Sequence, residues 1–254
     1  MGLDMTLAKR VVFPIALFFL FLCACTQENQ NKPGVVAESY NNQGNAYSEK
    51  GQHDQAIAAF NKALEIDPKY AGVYHNRGVV YGKKGQYDKA IADFTKAIEL
   101  NPNDAGAYHN RGVVYVVNRR YDQAIADYSK ALEINPRYAA SYHNRGVAYG
   151  RIGQNDKAIA DFTKSIEINP GYPGAYYSRG NAYGKRGAYD QAIADYTKAL
   201  QVNPSYAVAY YSRGRVYYLR KEYGKSMEDV NKAQALGYKI PAEFLDDLHN
   251  ASGK

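Results

Sequence analysis

The chain of 254 residues has no tryptophan, three methionines and two cysteines, Cys23 and Cys25, which stand almost side by side. Cysteines so placed cannot frame a disulfide-stapled domain, so stability has to come from packing. Long apolar stretches are missing as well. The run from Val11 to Leu22 stops well short of the roughly 20 residues that carry a helix across a bilayer. No glycine-rich phosphate loop is present, and no nucleophile, general base and orienting acid stand out as a set. An enzyme, a cofactor and a small-molecule substrate are therefore not expected.

What abounds is tyrosine, with 26 residues, six of which form a series at a fixed interval of 34: Tyr40, Tyr74, Tyr108, Tyr142, Tyr176 and Tyr210. Four places after each comes glycine, from Gly44 through Gly78 and Gly112 to Gly214, and three further on another tyrosine, from Tyr47 to Tyr217. Within the second copy, Tyr74, Gly78 and Tyr81 share one face of a helix, and Lys84-Gly85 breaks it. Ala90, Ile91, Phe94, Ala97 and Ile98 then form the apolar face of a second helix that stops before Asn101-Pro102. Small residues recur where the two helices approach, at Ala56, Ala90, Ala124, Ala158, Ala192 and Ser226. Most tyrosine rings are expected on the buried face.

Tyr, Gly four later, Tyr three after that, Ala90, Phe94, Ala97 and Pro102 resemble the tetratricopeptide repeat, over about Ala37 to Ile240. The resemblance implies an all-α protein: a right-handed α-solenoid, or superhelix, of six helix-turn-helix units at 37–70, 71–104, 105–138, 139–172, 173–206 and 207–240. The last unit departs from the pattern, with Val230 in place of the aromatic residue and no closing proline. Residues 241–254 follow with Phe244, Leu245 and Leu248 on one side and Asp246 and Asp247 on the other, as a helix capping an open solenoid end requires.

The other end is a separate object. Lys9 and Arg10 precede the apolar run, which reads as a secretory signal. Leu22-Cys23-Ala24-Cys25 resembles the bacterial lipobox, whose final cysteine is lipidated. That resemblance implies a signal peptide over 1–24, lipidation at Cys25, and a polar tether over 25–36. Thr26, where aspartate is associated with inner-membrane retention, implies an outer-membrane anchor facing the periplasm. Met1-Gly2 with Thr6 also fits the myristoylation pattern, which the adjacent export signal overrides. The net charge of +7 favours acidic surfaces, but an exported protein is not expected to meet nucleic acid.

Five copies carry arginine before the glycine (Arg77, Arg111, Arg145, Arg179, Arg213) and aspartate in the second helix (Asp93, Asp127, Asp161, Asp195, Asp229), whereas the first carries Gln43 and Ala59. Charges that appear and vanish together predict a pair within each repeat. The arc turned away from Tyr74, Arg77 and Tyr81 holds His75, Asn76, Val79, Gly72, Gly82 and Lys83, and in the family that arc lines a concave groove. Stacking the copies makes two ladders: His75, His109, His143, Tyr177, Tyr211 and Asn42, Asn76, Asn110, Asn144, the second ending in Ser178 and Ser212. The asparagine ladder resembles that of the superhelix in O-linked N-acetylglucosamine transferase, where amides hold a peptide backbone. An alternative is that these amides bond neighbouring helices.

The carboxylate clamp of chaperone adaptors is not matched: Asn45 and Asn76 fit, but Asn41, Gly106 and Asn110 stand where cations are needed. Equivalent helices lie about 8–10 Å apart, too far for His75, His109 and His143 to share a metal. The candidate site is therefore a peptide-binding groove comprising Asn42, His75, Asn76, Val79, His109, Asn110, Val113, His143, Asn144, Tyr177 and Tyr211. A rival surface is the basic ridge of turns, including Lys83, Lys84, Arg119, Arg120, Arg151, Lys185, Arg186, Arg220 and Lys221. The reading is a lipid-anchored envelope scaffold for a protein partner of the envelope or cell wall. Its alternatives are a module for carbohydrate or cell-wall polymer, with Tyr177 and Tyr211 as stacking platforms, and a pilotin-like assembly factor.

Overall fold

The computed structural model describes residues 33–253; the lipidation expected at Cys25 lies outside them. These residues form helices and no strands, and the chain divides after Pro102 into two compact units. The first unit contains α1 (Pro33–Glu49), α2 (His53–Ile66), α3 (Ala71–Lys83) and α4 (Tyr87–Leu100). The second contains α5 (Ala105–Val117), α6 (Tyr121–Ile134), α7 (Ala139–Arg151), α8 (Asn155–Ile168), α9 (Pro173–Lys185), α10 (Tyr189–Val202), α11 (Ala207–Leu219), α12 (Tyr223–Ala235) and α13 (Ala242–Ser252). Helix α1 starts at Pro33, so residues 33–36, expected in the tether, are helical instead. Proline fits a first helical turn, where its missing N–H had no partner to lose.

Each repeat is punctuated twice. The turn inside the repeat is left-handed at Gly51, Gly85, Gly153 and Gly187, and the same backbone is imposed on Arg119 (φ 57°) and Lys221 (φ 62°), at a cost of about 1–2 kcal/mol each. Between repeats, the Asx side chain that ends the second helix accepts the amide two residues on: Asp67 from Lys69, Asn135 from Arg137, Asn169 from Gly171 and Asn203 from Ser205. The proline between them cannot continue a helix.

The two helices of a repeat meet through a ring laid on a glycine. A Cβ on Gly112 would stand 2.8 Å from the Tyr128 ring, too close for any packed side chain. In the last repeat Val230 replaces the ring, and Gly214 instead faces backbone: its Cβ would meet the Ser226 carbonyl oxygen at 3.2 Å, an oxygen the next turn leaves in place. Ala90, Ala124, Ala158 and Ala192 are fully buried beside these contacts. Helix α13 closes the end of the second unit, burying Leu248 and setting Phe244 against Tyr211 and Tyr218.

Every arginine of the repeated phrase forks onto the aspartate of its own repeat. In Arg145, Nε donates to Asp161 Oδ2 at 2.7 Å and Nη2 to Oδ1 at 2.8 Å; Arg77, Arg111, Arg179 and Arg213 do the same with Asp93, Asp127, Asp195 and Asp229. The aspartates are buried, and their hydrogen bonds push the Arg145 guanidinium up from its ordinary value against the opposing effect of burial. A further contact joins repeats: Nη1 donates to the second helix of the preceding copy, at Asn61 for Arg77, Ser129 for Arg145, Thr163 for Arg179 and Thr197 for Arg213.

Of the tyrosines of the phrase, Tyr176 is buried, and Tyr40, Tyr47, Tyr74, Tyr149, Tyr183 and Tyr210 pack half-buried against the core. Tyr74 and Tyr81, Tyr108 and Tyr115, and Tyr142 and Tyr149 are half-buried and place their rings 5.5–6.0 Å from the guanidinium between them on the same helix. Cation–π contact and carboxylate fork together hold the charge. Arg145→Ala and Asp161→Ala should each lower unfolding free energy by about 3–5 kcal/mol, because each strands a buried charge. The double variant should cost less than the two losses combined, as contacting partners couple. Denaturant titration of the three variants checks this, and strict additivity would show that the pair does not act as one.

Candidate binding groove

The predicted ladder residues are on the first helices, but the structure joins the two ladders to each other. Asn76 Nδ2 donates to Asn41 Oδ1 at 3.0 Å, His143 Nε2 lies 3.0 Å from Ser178 Oγ, and Ser212 Oγ lies 3.4 Å from the Tyr177 hydroxyl. Each bond spans one repeat joint. Asn144 meets its neighbour His143 at 3.2 Å and the Tyr128 hydroxyl. Asn76, His143 and Asn144, which were expected to face a peptide, thus hold repeat to repeat.

The rings make the same joint. His109 stacks on Tyr138 at 4.7 Å and tilts against Tyr128, while Nδ1 lies 2.7 Å from Ser141 Oγ. It is buried, at 8 % exposure, and is not the open groove residue that the helical arc suggested. His143 packs between Phe162 and Tyr172, and Tyr177 between Tyr196 and Tyr206. Tyr211 stacks on Tyr238 and meets the edge of Phe244. Tyr177 and Tyr211 are therefore packing rings rather than open platforms for a sugar. In the first unit His75 meets Phe94 edge-on. His75, Asn76, Val79 and Asn110 are half-buried, and Asn42 is exposed.

One helical position over, the surface opens. Val113 and Val117, one turn apart on α5, are 37 % and 52 % exposed. Across α7, α9, α10 and α11 lies a cavity of about 460 Å³, lined by Arg151, Asn181, Gly184, Lys185, Tyr189, Tyr196, Ser212, Arg215, Val216 and Leu219. Val113, Asn181 and Arg215 are equivalent residues of their repeats, as are Val117, Arg151, Lys185 and Leu219. Arg151 and Lys185, assigned from sequence to the turn ridge, are the last residues of α7 and α9 and line this cavity. Val113 is one of the groove residues expected from sequence; counting the repeat period onward from it and from Lys83 reaches Asn181, Arg215, Val117 and Leu219 as well.

Three cations of the ridge meet carboxylates of the preceding repeat: Arg186 lies 2.6 Å from Asp156, and Arg220 pairs with Asp190 and Lys84 with Asp54. Among the described residues no group of three or more His, Cys, Asp or Glu is placed to hold a metal ion, and no helix is long and apolar enough to cross a membrane.

The tetratricopeptide repeat profile matches residues 71–104, 105–138, 139–172 and 173–206, and a second profile of the same repeat matches 44–85. The chain belongs to the tetratricopeptide repeat family. That fold is typically a non-catalytic scaffold that binds protein partners. A structure of MamA is 33 % identical, with a TM-score of 0.60 over 63 % of this chain and 94 % of that one. YrrB, described as a TPR protein with an unusual peptide-binding site, is 26 % identical, with a TM-score of 0.60 over 70 % of this chain and 92 % of that one. PilF of Pseudomonas aeruginosa, 22 % identical, shares the fold with a TM-score of 0.69 over 81 % of this chain and 90 % of that one. No curated protein matches.

Burial pushes the His109 imidazole down to about 4 and lowers His143 too. Above an ordinary histidine value of about 6.5 both folded and unfolded chains are neutral at this site, and stability is unaffected. As pH falls below it, the unfolded chain takes up a proton that folded His109 refuses, so stability drops, by about 2 kcal/mol from pH 7 to pH 5 for His109 alone. Urea titrations at the two pH values should show this loss. In His109→Tyr, which places the residue type of Tyr177 and Tyr211 at this position, the loss should shrink. An unchanged pH dependence in that variant would rule out His109 as its source.

Proposed function

We propose that this protein is a lipid-anchored scaffold of the bacterial envelope that holds an extended segment of a partner protein in the groove of its second unit. The observation that carries the groove is the cavity on α7, α9, α10 and α11 together with exposed Val113 and Val117. Val113, Val117, Arg151, Lys185, Arg215 and Leu219 make no hydrogen bond or ion pair across a repeat joint among the described residues, whereas the neighbouring ladder does. Apolar side chains left open beside polar ones give a segment both burial and fixed orientation. The likeness to YrrB, whose description names a peptide-binding site, supports the same reading. The anchor rests on the sequence alone: a basic start, an apolar run too short to span, and the lipobox-like Leu22-Cys23-Ala24-Cys25.

Replacing Cys25 by alanine should move the protein from membrane to soluble or precursor fractions. A processed Cys25→Ala protein that stays with the membrane would overturn the anchor. For the groove, a photo-crosslinking residue at Val117 should give a protein adduct in envelope preparations, and one at exposed Glu133 on α6 should not. Equal adducts from both positions, or none from Val117, would remove the groove from the proposal.

A further inference from the structure

Resting on that groove, we infer that its last three repeats bind acidic side chains of an extended partner segment. Three successive repeats each send one cation into the cavity, Arg151 from α7, Lys185 from α9 and Arg215 from α11, and no aspartate or glutamate lines it. Among the described residues none of the three has a carboxylate partner. The contrast lies one residue away. Arg186 and Arg220, which directly follow Lys185 and Leu219, are both paired with an aspartate of the preceding repeat. These two ridge arginines are thus neutralised, while the cations beside them in the cavity are left charged. Like charges gathered in one concavity focus a positive potential there, and their mutual repulsion is relieved by an anion.

Position at a helix end accounts for Arg151 and Lys185, where a cation complements the helix dipole. It does not account for Arg215, which precedes the last turn of α11 and replaces the Val113 and Asn181 of earlier repeats. Arg215 lies over the Tyr211 ring at 5.9 Å, and that ring is itself stacked on Tyr238. A guanidinium braced in this way keeps its planar donor fork free for a carboxylate. Asn181 accepts from the Tyr196 hydroxyl at 2.8 Å, and its Nδ2 has no partner among the described residues, leaving a donor for a peptide carbonyl.

Spacing selects the form of the segment. Packed helices repeat at about 8–10 Å, and a polyproline-type chain returns to the same face every third residue, about 9 Å on. A segment with an acidic residue at every third position therefore meets Arg151 and Lys185, equivalent positions of neighbouring repeats, and continues toward Arg215, one helical turn earlier on α11. Its ends take no part, which separates this site from one that captures a terminal carboxylate.

The test uses a fluorescent peptide with Glu at every third residue among prolines and serines, acetylated and amidated at its ends, and its Gln counterpart. Fluorescence anisotropy should show saturable, salt-sensitive binding of the Glu peptide and binding weaker by about tenfold or more for the Gln peptide. Lys185→Gln with Arg215→Gln should weaken the Glu peptide by about tenfold or more. Arg186→Gln with Arg220→Gln, on the paired ridge, should change it by no more than about twofold. Circular dichroism confirms that both double variants are folded. Equal binding of the Glu and Gln peptides, no binding of either, or equal losses in the two variants would overturn the inference. So would anionic vesicles that bind as tightly with the same sensitivity to Lys185 and Arg215. A Val117 adduct obtained while the Glu peptide fails would leave the groove standing and remove only its acidic specificity.

Discussion

A guanidinium that answers to two repeats at once is the constraint on which the structure depends. Arg145 forks onto Asp161 in its own repeat and donates its remaining Nη1 to Ser129 in the repeat before. One planar group thereby fixes the angle between the two helices of a repeat and the angle between neighbouring repeats. The position is demanding, because a charge held at the joint must be fully partnered or it destabilises. That demand explains the residues around it: the tyrosines three before and four after that flank it, and the glycine that follows, which lets the second helix close on the fork. The first described repeat, with Gln43 and a buried Ala59, leaves both ends of the fork out together.

The second joint is aromatic. His109, His143, Tyr177 and Tyr211 each rest on a tyrosine from the entry of the next repeat or from the segment after α12, and the polar atoms of His109, His143 and Tyr177 complete bonds across the same seam. Imidazole and phenol are interchangeable here because both offer a flat face with a polar tip. What differs is protonation: an imidazole held neutral by burial makes the seam of the middle repeats sensitive to acid in a way that the tyrosine seam is not.

Much of this was legible in the sequence, for identifiable reasons. The helix pairs were readable because the period is unbroken and each break is marked by glycine or proline. The Arg–Asp fork was readable because both partners vanish from the same repeat. Its third contact was not, since the acceptor varies among Asn61, Ser129, Thr163 and Thr197 and leaves no single-residue signature. The ladders were visible as periodic residues, but a helical arc cannot say that the next repeat covers it, so His109 was assigned to a surface. Arg151 and Lys185 were placed on the ridge because they adjoin a turn; the helix end, one residue away from the break, turns them into the groove.

Tyr211 stands where two functions of the fold touch. Its ring bears Arg215 on the groove side, and the same ring carries Tyr238 and, on helix α13, Phe244. Any ligand that orders Arg215 therefore also favours the seated form of the C-terminal helix, and by reciprocity whatever lifts that helix loosens the guanidinium. If the proposed segment orders Arg215, the cap is thermodynamically linked to its binding, and hydrogen exchange in residues 242–252 would report that binding from outside the groove.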